Sequence, residues 1–271
     1  MLVVTNLQKI YMSGLLRRRR TIAVEGVTFS IAEGEIVSLV GESGSGKTTT
    51  ALMVLRLLRP TAGKIEFMGQ DIWKISNSEE VKRYWQKVHG IFQDPYAAFN
   101  PLYKADRILY QALDLTLNKD NNRLTTIREA LHAVGLRPED VLGKYPHQLS
   151  GGQKQRLMIA RCYLLKPKLI VADEPVSMID ASSRAGILKL LLELRERYAT
   201  AILFITHDLG LAHYVSDRIL VMHKGKIVEE GRPEDIINNP QHTYTKKLIS
   251  DIPLIMKKWD EFADFHLKTK G

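Results

Sequence analysis

Gly41-Glu42-Ser43-Gly44-Ser45-Gly46-Lys47-Thr48 stands directly after a mostly apolar stretch at residues 35–40 and leads, through Thr49, into a helical pattern at 49–58. The octet fits the pattern of a glycine, four residues, then Gly-Lys-Ser/Thr, which makes a phosphate-binding loop where a strand feeds it and a helix leaves it. Glycines let backbone N–H groups converge on phosphate oxygens, and the helix N-terminus adds positive potential. In that setting Lys47 reaches the terminal phosphates and the Thr48 hydroxyl is available to Mg²⁺. An ordinary glycine-rich strand-to-helix turn would need neither the lysine nor the threonine.

Outward from the loop, further β-like segments recur at residues 2–7, 27–31, 64–67, 88–92, 168–172, 201–206, 218–222 and 226–230. Segments 168–172 and 201–206 are almost wholly apolar, as strands covered on both faces of a parallel sheet must be. An α/β fold is the expectation. Between residues 94 and 149 the β signal disappears, and helical patterns broken at 118–122 and at Arg137-Pro138 replace it. This predicts a helical lobe inserted into the core. The chain is thus expected to divide into a core at 1–93 and 159–231, a helical part at 94–158 and an extension at 232–271. In the extension Ile255, Trp259, Phe262 and His266 share one helix face by spacing, which is expected to pack on its own domain, docking of a partner being the alternative. There is no internal repeat and no low-complexity segment.

With 271 residues, 45% hydrophobic and 25% charged, the composition excludes disorder and small disulfide scaffolds. Cys162 is the single cysteine, so no internal bridge forms; a reducing compartment and a buried, apolar role are expected. No stretch approaches the roughly 18 apolar residues of a membrane span, and the first residues lack a signal-peptide layout. A cytoplasmic location is the expectation. The formal charge of +9, partly concentrated in Arg17-Arg18-Arg19-Arg20, suits nucleotide, nucleic acid or anionic lipid without choosing among them. The arginine run reads first as a solvated loop, with contact to acidic lipid headgroups or to a partner as the alternative.

Two further motifs carry chemistry. Leu169-Ile170-Val171-Ala172-Asp173-Glu174 is a buried-strand pattern that ends in acids. Opposite the loop, Asp173 is suited to hold Mg²⁺ across from Thr48, and Glu174 to polarise a water attacking the γ-phosphate. Leu149-Ser150-Gly151-Gly152-Gln153 precedes a helical pattern at 154–165 and makes a second anion site from backbone N–H groups and a hydroxyl. One nucleotide rarely needs two γ-phosphate cradles, so the second is read as serving a neighbouring chain's ATP.

With these residues in place the sequence resembles an ABC transporter nucleotide-binding domain, a family whose signature is Leu-Ser-Gly-Gly-Gln. The resemblance runs essentially end to end. It implies a RecA-like P-loop NTPase core with a small antiparallel β part, an inserted α-helical subdomain and a C-terminal extension, and it implies ATP hydrolysis with Mg²⁺. By motif match Tyr11 resembles the aromatic that stacks on adenine, and Gln93 the glutamine that contacts metal and attacking water and couples to the transmembrane subunit. Ser177-Met178-Ile179-Asp180 resembles the loop that crosses the dimer interface, and His207 the histidine that contacts the γ-phosphate.

Phe92-Gln93-Asp94-Pro95-Tyr96-Ala97-Ala98-Phe99-Asn100-Pro101, Tyr145-Pro146-His147-Gln148 before the signature, and Asn239-Pro240-Gln241-His242-Thr243-Tyr244-Thr245 resemble the ATPases of oligopeptide and dipeptide importers, Thr243 replacing the usual proline. Members of this subfamily also carry oligosaccharides or nickel, which stay open as cargo. The implied partners are a second ATPase subunit, permease subunits and, indirectly, an extracytoplasmic solute-binding protein. The place implied is the cytoplasmic face of the membrane. A heterodimer of two ATPase chains is expected, a homodimer being the alternative. A nucleic-acid-linked ABC ATPase is the rival class; it calls for coiled-coil insertions or paired ATPase domains, and no nucleic acid partner is expected. With no cysteine after Cys162, no iron–sulfur cluster is expected in the extension.

Overall fold

The structure is a computed structural model that describes residues 1–13, 19–94, 98–116 and 122–251. Arg17, Arg18, the centre of the break at 118–122, residues 95–97 and the face from Ile255 to His266 lie outside the described residues.

The chain opens with β1 (Leu2–Ser13) and β2 (Arg19–Ile31), an antiparallel pair, followed by β3 (Ile36–Val40) and α1 (Lys47–Val54). Next come β4 (Ala62–Phe67), β5 (Gln70–Asp71), α2 (Ser78–Lys87) and β6 (Val88–Ile91). Helices α3 (Arg107–Leu115), α4 (Arg123–Ala133), α5 (Pro138–Val141) and α6 (Gly151–Leu165) occupy the middle. Then β7 (Leu169–Asp173), α7 (Ala181–Tyr198), β8 (Ala201–Thr206), α8 (Leu209–Val215), β9 (Arg218–His223), β10 (Lys226–Gly231), α9 (Pro233–Asn238) and α10 (Thr243–Ser250) complete the described chain.

Six strands form the central sheet in the order β10-β9-β3-β8-β7-β6, parallel except for β10, and four form an antiparallel sheet in the order β2-β1-β4-β5. The apolar runs of β7 and β8 are explained by what lies on either side. Ile202 and Phe204 of β8 and Ile170 and Ala172 of β7 join a cluster with α3, α4, α6 and α7. Their neighbours Leu203, Ile205, Leu169 and Val171 join a second cluster with α1 and the antiparallel sheet. Alternate side chains leave a strand on opposite faces, so two covered faces demand an unbroken apolar run. Cys162 is buried in the first cluster, where burial pushes its thiol up to about 12, far from reactive.

Each β-like segment read from the sequence lies on a strand. What the pattern missed are the outer halves of β1 and β2, where Tyr11 and Met12 pair with Thr21 and Arg20, and the two-residue β5. These stretches are polar or exposed, and hydrogen bonding to a neighbouring strand, invisible in local pattern, makes them strand. The helix expected over 49–58 begins earlier, at Lys47, and ends at Val54, because Arg56 turns into the left-handed region at φ 60°. Helices α3, α4 and α6 share their apolar cluster with the sheet face, and α6 runs unbroken through residues 158 and 159.

Candidate functional site

The phosphate-loop sequence folds as a tight turn because two backbones crowd it. A Cβ at Gly41 would lie 2.1 Å from the carbonyl oxygen of Met222 on β9, and one at Gly46 would lie 2.4 Å from that of Ala23 on β2. Both residues also have positive φ, so glycine is required twice over. Gly46 caps α1 without a side-chain bond, leaving the helix's first N–H groups turned to the loop's concavity, where an anion is favoured. Lys47 is buried, and its Nζ donates to the carbonyl oxygens of Gly41 and Glu42, 2.8 Å each, and lies 3.4 Å from Ser45 Oγ. Burial draws its pKa below the ordinary lysine value, while the charges of Glu174, Asp173 and Glu42 oppose that shift. An ammonium held by carbonyls in a partly dry site has every reason to turn to phosphate oxygens.

The acids face it from the C-terminal end of β7, one strand removed from β3 in the sheet. Asp173 is buried and accepts a hydrogen bond from the Thr48 hydroxyl; burial raises its pKa, and the Thr48 bond and the charge of Lys47 only partly offset this. Glu174 takes the left-handed conformation, φ 46°, with its N–H donating to Ile205 O at 2.9 Å. Its carboxylate receives Gln93 Nε2 at 3.0 Å on one oxygen and meets His207 Nδ1 at 3.0 Å on the other. Gln93, Glu174 and His207 follow β6, β7 and β8, neighbours in the sheet, so the C-terminal ends of three parallel strands bring together residues far apart in sequence. Ligands of open parallel sheets bind at that edge.

Ser150 is the N-cap of α6: its Oγ accepts from Gln153 N–H at 3.2 Å while Gln153 Oε1 accepts from Ser150 N–H at 2.9 Å. Asp180 caps α7 by accepting from Ser183 N–H at 3.0 Å. Both caps line one open depression of about 550 Å³, together with Gly151, Gly152, Arg156 and Met178. Among the described residues no hydrogen bond or ion pair joins Ser150 to Gln153 with the phosphate loop, so the two anion-facing helix starts are separate features of one chain. Ser177 closes the turn after Glu174, its Oγ donating to Glu174 O at 3.0 Å. Tyr11 lies on the β1–β2 pair opposite Thr21, half exposed, with Lys9 Nζ 5.4 Å from its ring centre. Among the described residues it makes no hydrogen bond with the loop, and Ala23, two residues beyond its partner, abuts Gly46.

The residue-by-residue reading missed the loop's outer wall. Gly225 N–H donates to Ser45 O at 2.9 Å, and Tyr244 Oη accepts from Glu42 N–H at 3.0 Å across 202 residues of sequence. No local pattern carries such a contact; the only available signal was the tail motif containing Tyr244.

A glycine-rich phosphate loop on a doubly covered parallel sheet, faced by Asp173 and Glu174 and accompanied by a second anion-facing helix start, defines a P-loop nucleotide hydrolase. Comparison with known families narrows the class. Residues 24–177 match the ABC transporter family model, and residues 228–269 match the oligopeptide/dipeptide transporter C-terminal region. A Brucella ovis protein provisionally named as a peptide import ATP-binding protein is 45% identical over 231 residues, 85% of this chain and 72% of that protein. The oligopeptide transport ATP-binding protein AppF of Bacillus subtilis is 40% identical over 252 residues, 91% of this chain and 75% of the relative. The ATP-binding cassette MJ0796, solved as a dimer in a post-hydrolysis state with ADP and Pi, superposes with TM-score 0.77 at 28% identity, covering 86% of this chain and 99% of that one. The chain belongs to the ABC transporter family as an ATP-binding, ATP-hydrolysing subunit. No helix among the described residues is long and apolar enough to cross a membrane.

Proposed function

We propose that this chain hydrolyses ATP to drive an importer of oligopeptides or dipeptides, acting from the cytoplasmic face through permease subunits. The observation that carries the reading is the convergence on one sheet edge of Lys47, Asp173 and a Glu174 carboxylate held by Gln93 and His207. The loop amides of residues 43–48 and Lys47 bind the phosphates, Thr49 extends that first helical turn, and Tyr11 stacks on the adenine. Glu174 polarises the attacking water and His207 orients the γ-phosphate. Ser150, Gly151, Gly152, Gln153 and Asp180 serve the ATP of a second ATPase subunit.

Thr48, Asp173 and Gln93 are the residues suited to Mg²⁺. The fit rests on Asp173, a buried carboxylate whose ionised form has too little compensation in the free chain. A divalent cation bound there would neutralise phosphate charge, while the geometry of the attack is set by the protein's own groups. The peptide cargo is supported by the match of residues 228–269 and by the peptide-import names of the relatives. Division of the chain into a core at 1–93 and 159–231, a signature-bearing helical part at 94–158 and an extension at 232–271 is part of the same reading. The test is ATP hydrolysis by the reconstituted complex: oligopeptide delivered with its binding protein is expected to stimulate turnover, and stimulation only by an oligosaccharide or nickel would replace the cargo.

A further inference from the structure

The wall behind the phosphate loop is built largely from the end of the chain. Met222 and Gly225 of the β9–β10 hairpin press against Gly41 and Ser45. On that hairpin the segment leading to α10 is hung by Glu229, whose carboxylate accepts Gln241 N–H at 2.7 Å and His242 N–H at 3.0 Å. His242 then caps α10, its Nδ1 accepting from Tyr244 N–H at 3.1 Å. These bonds aim Tyr244 at the loop. Its ring, 7% exposed, stacks on His223 with centroids 3.8 Å apart and planes at 28°, and its hydroxyl accepts the Glu42 N–H at 3.0 Å.

We propose that Tyr244 is a positioning residue for the phosphate loop, making the C-terminal helix part of the wall of the nucleotide site; the inference rests on the ATP-binding reading above. The reason lies in what holds residues 41 and 42. On the inside, Lys47 Nζ binds both their carbonyl oxygens. The ammonium has three donors, and a phosphate that takes one of them competes with these inner bonds, whereas the Tyr244 bond on the outside holds the same leg of the loop by a contact that the nucleotide does not share. The hydroxyl therefore favours the loop shape that receives nucleotide. It touches none of Gln93, Glu174 and His207, so its effect falls on binding and not on the hydrolytic step.

The test is Tyr244→Phe in the full chain, which keeps the ring stacked on His223 and removes only the acceptor. Amide exchange at Glu42 in the nucleotide-free protein should speed up while β7 and β8 stay unchanged. ATP affinity should fall by about three- to tenfold, the range expected for one net hydrogen bond, with turnover at saturating ATP retained in the reconstituted complex. Unchanged exchange at Glu42 together with wild-type affinity would overturn the proposal. So would exchange that rises equally in β7 and β8, which marks general loosening. Failure of the wild-type chain to bind ATP would sink the ATP reading instead, and the exchange comparison, read without nucleotide, judges Tyr244 regardless.

Discussion

At the scale of single residues, Glu174 carries a backbone conformation that costs roughly 1 kcal/mol for a side chain of its kind, at a position where two side chains and an Ile205 carbonyl hold it. Strain maintained by surrounding bonds is common where geometry serves chemistry. Glu174→Gln keeps the shape and the loop but removes the carboxylate proposed above to polarise the attacking water. Hydrolysis in the assembled complex should fall by about 10²-fold or more with ATP binding intact, whereas Lys47→Ala should weaken binding itself. Near wild-type turnover by the Gln variant would remove Glu174 from its role. Asp173 gives a prediction of a different kind. Its pKa is raised in the fold by burial, so the native chain holds a proton more tightly than the unfolded one. Stability is then fullest below the ordinary value of 3.8, falls as pH rises through it, and bears the whole penalty above the raised value. Asp173→Asn should therefore stabilise the nucleotide-free chain modestly at neutral pH in urea unfolding, the gain shrinking towards pH 3.8, and should abolish stabilisation by Mg²⁺ with ATP. A variant less stable than wild type at neutral pH would contradict this account.

At the scale of elements, α6 begins with a cap that has two claims on it. Ser150 and Gln153 satisfy each other's N–H groups, which alone is a reason for a serine there. Ser150→Ala should lower unfolding stability by about 1 kcal/mol. Ser150→Asp separates the two roles: aspartate caps as well as serine, but puts a negative charge where a second chain's γ-phosphate is expected. Its urea midpoint should match wild type while ATP-dependent association of ATPase subunits is lost, as read by light scattering in a Glu174→Gln background. Association at wild-type level would leave Ser150 as a cap alone. The strands tell a related story. β6, β7 and β8 are ordinary buried strands in themselves, and their functional content comes from adjacency, because neighbouring parallel strands deliver Gln93, Glu174 and His207 to the same edge.

At the scale of the whole molecule, the phosphate loop and the Ser150 depression are separate features of one chain, and on the function proposed above they complete a site only between two ATPase subunits. Solved relatives of this fold include a dimeric cassette. We expect the native complex to contain two different ATPase chains; intact mass of the purified membrane complex counts them, and two copies of this chain with no second ATPase would establish the homodimer instead.

The sequence determined the α/β class, the central strands, the phosphate loop and the family. Those features rest on local repetition: apolar runs for doubly covered strands, glycines where backbones crowd, a lysine and a threonine at fixed offsets. The pairing of Glu174 with Gln93 and His207, the strain at Glu174 and the closure of the loop by Tyr244 came only from the tertiary structure. Strand order decides which loops share an edge, and strand order is set by how helices cover both faces of the sheet, which no window of sequence contains. The bond from Glu42 to Tyr244 is the extreme case: the donor is a backbone N–H common to nearly every residue, and only the folding of β9, β10 and α10 against β3 makes this one find a phenol.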